Sequence, residues 1–146
     1  EMCIRDSNKI INVNLKAPIA LSSKVADIMV GEKSGNIIYI SSMWGLDGAS
    51  CESVYSATKA GIIAFSKALS RELGPSNIRV NTICPGFIDT KMNSNLSAEE
   101  REEFICQIPL MRAGMPSDIA DLVIFLINKK AGYITGANIK VDGGYI

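Results

Sequence analysis

Tyr55 and Lys59 stand one helical turn apart in an unbroken helical pattern, so both side chains leave the same helix face and can act on one ligand. Taken alone, the pair would serve equally well as an amphipathic surface contact. Ser42 lies upstream, just past a short apolar run expected to be a buried strand, and the carboxyl ends of strands are where open α/β sheets bind ligands. A serine there can be a plain loop or cap residue; its conjunction with Tyr55 and Lys59 is what carries chemical meaning. The three groups make an acid unit that needs no imidazole. A phenol has an ordinary pKa of about 10, a nearby ammonium favours its ionised form and lowers that value, and a hydroxyl can hold a carbonyl oxygen beside it. The reaction that fits is proton transfer to an oxygen while hydride arrives at its carbon.

Composition removes competing chemistries. The 146 residues contain no histidine, which excludes imidazole bases, imidazole metal ligands and Ser-His-Asp relays. Fifteen basic and fifteen acidic side chains cancel, so nothing marks a nucleic-acid or anionic-membrane partner. Cys3, Cys51, Cys84 and Cys106 form no C-x-x-C pair; they are expected to be reduced thiols of a cytoplasmic protein, with no metal site. The most apolar stretch, Leu122 to Ile127, falls far short of the roughly 20 residues of a membrane span. Residues 1–7, EMCIRDS, resemble a translated sequencing-library adapter and are expected to be a non-native leader.

The elements that must position these side chains alternate. Apolar residues at Ile10, Val13, Ala17, Leu21, Val25 and Ile28 predict an amphipathic helix over Ile10 to Val30, kinked or broken at Pro18. Ile37 to Ile40 is apolar on both faces and suits a buried parallel strand. After a loop over Ser41 to Ser53, Val54 to Leu73 is the longest helix, stopped at Gly74-Pro75. Strands follow at Ile78 to Cys84 and Ala137 to Val141, with helices between them over Asn93 to Gln107, opened by a Ser97/Glu100 capping box, and over Pro116 to Asn128. This order is that of an α/β fold with helices on both faces of a doubly wound parallel sheet, Rossmann-like. Three strands where a sheet usually has about five or six suggest its C-terminal half, with an N-terminal βαβ half absent from these residues.

Five ordered motifs make the set specific: Val13-Asn14-Leu15, Ile40-Ser41-Ser42-x-x-Gly45, Tyr55-Ser56-Ala57-Thr58-Lys59-Ala60-Gly61, Arg79-Val80-Asn81-Thr82-Ile83-Cys84-Pro85-Gly86 and Val141-Asp142-Gly143-Gly144. From about Lys9 to Ile146 the chain resembles the short-chain dehydrogenases/reductases, most like the 3-oxoacyl-[acyl-carrier-protein] reductases. The resemblance implies catalytic roles for four residues. Tyr55 would be the general acid, Lys59 would lower its pKa and bind the nicotinamide ribose, Ser42 would hold the substrate oxygen, and Asn14 would anchor a water leading protons to Lys59. Alone, Asn14 would be a mid-helix polar residue. Pro85-Gly86-Phe87-Ile88-Asp89-Thr90 resembles the nicotinamide-side loop, with the Ile88 backbone and the Thr90 hydroxyl at the carboxamide; without the family it would be a strand-end turn. Asn93 to Met115, ending in Arg112-x-Gly114-x-Pro116, corresponds to the family's substrate lid, though a solvated acidic helix fits the same residues. Trp44 and Met43 could line the pocket or pack in the core.

The resemblance further implies NADPH as cofactor, with NADH open, a small-molecule or acyl-carrier-bound carbonyl substrate, and a homodimer or homotetramer through the Asn8–Val30 and Val54–Leu73 helices. Ser41-Ser42-Met43-Trp44-Gly45 with Gly48-Ala49-Ser50-Cys51-Glu52 also resembles a related bacterial branch, the elongation factor P 5-aminopentanone reductases. A non-catalytic scaffold is the alternative from another class. No Thr-Gly-x-x-x-Gly-x-Gly phosphate loop precedes Asn14, so a C-terminal part of a protein of roughly 230 to 250 residues is expected, binding cofactor poorly by itself.

Overall fold

A computed structural model describes residues 7–146; Cys3 and the rest of residues 1–6 lie outside the described residues. The three expected strands, β1 (Gly35–Ile40), β2 (Ile78–Pro85) and β3 (Asn138–Val141), form one parallel sheet in the spatial order β1-β2-β3. Gly35 lies opposite Ile78 and Ile40 opposite Ile83, while Thr82 to Pro85 pair with Asn138 to Val141. Successive residues of a strand point to opposite faces. Ile78 and Val80 of β2 therefore meet Tyr39, Ile62, Leu69 and Leu73, the last three from α3 (Ser53–Leu73). Ile83, on the other face, meets Leu126 of α5 (Pro116–Ile127) and Ala131. Each such aliphatic side chain removed from water contributes roughly 1.5–3 kcal/mol, and the central strand is the most deeply buried of the three.

The irregularity expected at Pro18 takes the form of a π-turn. Helix α1 (Ser7–Ile11) passes through Asn12–Lys16 into α2 (Ala17–Glu32), with the Ala17 N–H reaching back to the Asn12 carbonyl. A proline has no N–H to offer, and its ring crowds the carbonyl four residues back, here that of Asn14. One widened turn relieves that crowding without ending the helix. The π-turn packs on α3 where Gly61 leaves room: a Cβ there would stand 3.1 Å from Leu15 Cδ1.

The helix expected over Asn93 to Gln107 is shorter than its polar pattern suggested. Lys91–Asn93 is a separate 3₁₀ turn, and α4 spans Ala98–Cys106. Ser97 sets the start, because its extended backbone lets Oγ accept the Glu100 N–H at 3.1 Å while Glu100 accepts the Ser97 N–H at 2.8 Å. At the head of α5, Asp118 accepts the Met115 N–H at 2.7 Å and pairs with Arg112 at 2.8 Å, and the guanidinium pulls its carboxyl down to about 2. Among the described residues no helix is long and apolar enough to cross a membrane.

Asn81 connects the sheet to the chain entering β3. Fully buried, it donates Nδ2 to the Ile134 carbonyl at 2.9 Å and accepts the Ala137 N–H on Oδ1 at 3.1 Å. Asn81→Ala should strand both backbone groups without water and lower stability by on the order of 2–4 kcal/mol. Urea denaturation measures this, and a loss below about 1 kcal/mol would show that the two groups find other partners.

Candidate active site

The site forms where β1 ends. Ser41 prolongs the β1–β2 ladder by donating its N–H to the Ile83 carbonyl at 2.8 Å. Ser42 then stays extended and caps a 3₁₀ turn over Met43–Gly45, its Oγ accepting the Trp44 N–H at 3.2 Å. That turn lies directly on α3, and Gly45 is the reason it can. A Cβ there would stand 2.8 Å from the Lys59 carbonyl carbon and 2.9 Å from Ser41 Oγ. The Ala49 N–H donates to Ser56 Oγ at 3.2 Å, fixing the rest of the loop to the first turn of α3. The loop expected over Ser41 to Ser53 is thus a fitted connection.

This packing brings Ser42, Tyr55 and Lys59 together. Tyr55 is half-buried, and burial raises its phenol pKa; a hydrogen bond with the Ser42 side chain draws it back, and the Glu52 carboxylate adds a further upward push. The Lys59 ammonium donates to the Ile40 carbonyl at 3.0 Å and stands over the Tyr55 ring, 5.5 Å from its centroid. Burial lowers its pKa, opposed by the charge interaction with Cys84. The depression of the Tyr55 pKa expected from Lys59 is absent in this arrangement, because the ammonium faces a backbone carbonyl and the ring while desolvation dominates at the phenol. Burial therefore favours the protonated phenol at Tyr55.

Asn14 sits half-buried on the π-turn beside Leu15 and makes no direct hydrogen bond to Tyr55 or Lys59. The loop after β2 is pinned to the end of β3: the Gly86 N–H donates to the Val141 carbonyl at 3.0 Å, and a Cβ at Gly86 would stand 2.6 Å from Asp142 Cα. Pro85 closes β2 just before it. Ile88 forms a parallel bridge with Gly114, in which Gly114 donates to the Phe87 carbonyl and Asp89 donates to the Gly114 carbonyl. Asn93 Nδ2 takes the Ile88 carbonyl at 2.6 Å, and the Ile88 N–H is left out of the bridge. Thr90 is exposed, and its hydroxyl makes no cap bond to the turn it precedes. An uncommitted N–H and hydroxyl two residues apart are the groups a carboxamide needs. A cleft of about 550 Å³ bounded by Phe87, Ile88, Arg112, Asp118 and Asp142 lies on the β3 side of this loop; Ser42, Tyr55 and Lys59 are not in its wall.

Sequence reasoning missed an aromatic cluster. Phe104 of α4 stacks on Phe87 at 5.0 Å and on Tyr145 at 5.9 Å between ring centroids, and Trp44 meets Phe104 and Tyr145 edge-on. Arg101 pairs with Asp89 at 2.9 Å beside it. Helix α4 is thereby laid against the turn that follows Ser42. The available signal was Phe104 itself, a large apolar side chain in an otherwise acidic helix.

A parallel α/β sheet with a serine, a tyrosine and a lysine at the end of its first strand defines a Rossmann-like protein with its ligand site at the strands' carboxyl ends. The chain belongs to the short-chain dehydrogenase/reductase family: the family model described as enoyl-(acyl carrier protein) reductase matches residues 1–146. It is 47% identical over 137 residues to the 3-oxoacyl-[acyl-carrier-protein] reductase FabG of Chlamydia trachomatis, covering 94% of this chain and 55% of the relative. It is 41% identical over 137 residues to the uncharacterized oxidoreductase YmfI of Bacillus subtilis, covering 94% and 57%. The crystal structure of 3-oxoacyl-[acyl-carrier protein] reductase from Brucella melitensis superposes with a TM-score of 0.95 at 33% identity, over 100% of this chain and 55% of that one. The chain spans about half the length of the curated relatives it matches.

Gly45→Ala should force the Ser42 turn away from Lys59 and destabilise the protein by roughly 1–3 kcal/mol. Gly31→Ala, which meets nothing within 4 Å, should be neutral or slightly stabilising. Equal denaturation midpoints for the two variants would show that the turn does not depend on the missing Cβ.

Proposed function

We propose that residues 8–146 are the C-terminal catalytic part of a single NAD(P)-binding Rossmann-like domain, and that the whole protein is a cytoplasmic NAD(P)H-dependent carbonyl reductase. It reduces a keto group to a hydroxyl, as a 3-oxoacyl-[acyl-carrier-protein] reductase does. The observation that carries this reading is the Lys59 ammonium held over the ring of a half-buried Tyr55, with the Ser42 side chain near enough to the phenol to draw its pKa down. Ser42 Oγ and the Tyr55 hydroxyl can hold one carbonyl oxygen between them, and the phenol, kept protonated by burial, donates its proton to that oxygen. Lys59 offers donors that a ribose hydroxyl can accept, and Asn14 supports a proton path toward it. The nicotinamide cofactor implied by the family supplies the hydride when bound. The Ile88 N–H and the Thr90 hydroxyl fit its carboxamide, and Pro85 and Gly86 set the loop that presents them. We favour NADPH, with NADH open.

Homodimers or homotetramers through the Asn8–Val30 and Val54–Leu73 helices are supported by apolar side chains left in solvent along the first, Val13, Leu21 and Ile28. The Glu52 carboxylate beside Tyr55 supports a second substrate reading, an aminoketone whose ammonium it would face, as in the 5-aminopentanone reductases.

In the full-length protein Tyr55→Phe should lower kcat for carbonyl reduction by roughly 10²–10⁴-fold, and unchanged turnover would sink the acid assignment. Reduction needs Tyr55 and Lys59 protonated, so kcat should be flat through neutral pH and fall as pH rises. The alkaline limb should report these two groups, with burial lowering the Lys59 pKa and raising that of Tyr55. Comparing kcat/KM on a β-keto thioester and on an aminoketone separates the two substrate readings.

A further inference from the structure

Asn93 has no part in the proposed chemistry, yet its amide is committed. The loop after β2 is tied from outside at Gly86, Phe87 and Asp89. The Gly86 N–H goes to the Val141 carbonyl at 3.0 Å, while the Phe87 carbonyl and the Asp89 N–H both go to Gly114, at 2.9 and 2.8 Å. The Asp89 carboxylate is paired with Arg101 at 2.9 Å. In extended backbone, alternate residues turn their N–H and carbonyl groups to opposite edges, so Ile88 and Thr90 present theirs on the side away from Gly114. There Asn93 closes back on both. Its Nδ2 donates to the Ile88 carbonyl at 2.6 Å, and its backbone N–H donates to the Thr90 carbonyl at 3.0 Å. Among the described residues it is the one that bonds to both. A carbonyl oxygen can only accept, so the amide nitrogen must face Ile88 and the orientation of the side chain is fixed by its partner. The return is made by the 3₁₀ turn Lys91–Asn93, which starts from an extended Thr90 (φ −141°, ψ 168°).

We propose that Asn93 is a positioning residue for the nicotinamide ring: by bracketing residues 88–90 with one side-chain and one backbone hydrogen bond, it sets the separation of the Ile88 N–H from the Thr90 hydroxyl. This rests on the carbonyl-reductase reading, in which those two groups take the carboxamide of the cofactor. Asn93 itself touches neither cofactor nor substrate and acts through Ile88 and Thr90. Hydrogen bonds to an N–H occupy a window of about 2.7–3.2 Å. A separation that drifts by ~1 Å therefore leaves a carboxamide able to satisfy only one of the two groups.

Only a ligand that uses both groups senses their separation, which gives the test. NADP⁺ and its acetylpyridine analogue differ at this point alone: the analogue keeps the carbonyl oxygen and carries a methyl group where the carboxamide has its nitrogen. Titration calorimetry measures the binding of each to the full-length protein, as parent, Asn93→Ala and Asn93→Asp, with the NAD⁺ pair used if the parent prefers it. Asn93→Ala should weaken NADP⁺ by ~5- to 10-fold and the analogue by less than ~2-fold. Asn93→Asp keeps the shape of the side chain but sets a carboxylate oxygen against the Ile88 carbonyl, so its selective loss should be at least as large. Repulsion of the cofactor phosphates by the new charge acts on both ligands alike and cancels in the ratio of the two affinities. That ratio is also independent of the fraction of protein folded, so a destabilised variant still decides the matter. A residue that only packed the turn would leave the ratio unchanged. The proposal is overturned if either variant keeps the parent's ratio, whether by losing both ligands equally or by losing neither. A parent that binds neither NADP⁺ nor NAD⁺ would instead sink the reductase reading itself, an outcome read before any variant is made.

Discussion

The functional end of this molecule depends on one close approach, that of the turn after β1 to the backbone of α3 at Lys59. Strand and helix could pack through aliphatic side chains anywhere along their length, and Ile62, Leu69 and Leu73 do so lower down. At the strand end the contact changes character. Gly45 has no side chain, the Ser41 hydroxyl bonds the Lys59 carbonyl, and the Lys59 ammonium returns to the Ile40 carbonyl at 3.0 Å. Strand end and helix start thus exchange hydrogen bonds in both directions. Ser42, Tyr55 and Lys59 take their relative positions from that exchange, in a region where a methyl group has no room.

Burial governs the electrostatics of the same corner. It raises the Tyr55 phenol and lowers the Lys59 ammonium, each toward its neutral form. A lysine turned onto the phenolic oxygen would oppose the first of these. Here the ammonium meets a carbonyl and the ring face, which are partners that hold a cation without ionising the tyrosine. The result suits donation to a substrate oxygen better than abstraction of a proton from an alcohol.

Much of this was legible in the residues. Short apolar runs located the three strands, and longer stretches free of breakers located the α3 and α5 helices, because those elements are apolar or amphipathic for the same reason they are buried. The capping box at Ser97 marked the start of α4 more accurately than the polar pattern over Asn93 to Gln107, since a cap is a local bond while surface polarity does not distinguish helix from loop. Pro18 signalled an irregularity whose kind depended on α3, because a π-turn is tolerable where Leu15 finds Gly61 beneath it. The spacing of Ser42, Tyr55 and Lys59 was visible; the direction of the ammonium was not, since that depends on the Ile40 carbonyl, a backbone group with no sequence signature. The same holds for the Phe104 cluster, whose three ring partners come from three separate segments.

The aromatic cluster ties α4 to the turn that follows Ser42 by a different kind of force. Phe104 has Phe87, Trp44 and Tyr145 around it, so α4 is held by dispersion and ring-edge contacts, to which Arg101 adds charge through its pair with Asp89 and its place over the Phe87 ring. Stacked and edge-on ring pairs are worth roughly 0.5–1.5 kcal/mol each beyond their buried area, and an exposed ion pair about 0–1. A helix secured this way resists salt but yields to any apolar group that competes for the same rings. A substrate with an aliphatic or thioester tail would do that, replacing contacts among the rings with contacts to itself. The absence of histidine then reads coherently with the rest. A corner of low polarity disfavours charge, and burial accordingly favours the neutral phenol at Tyr55.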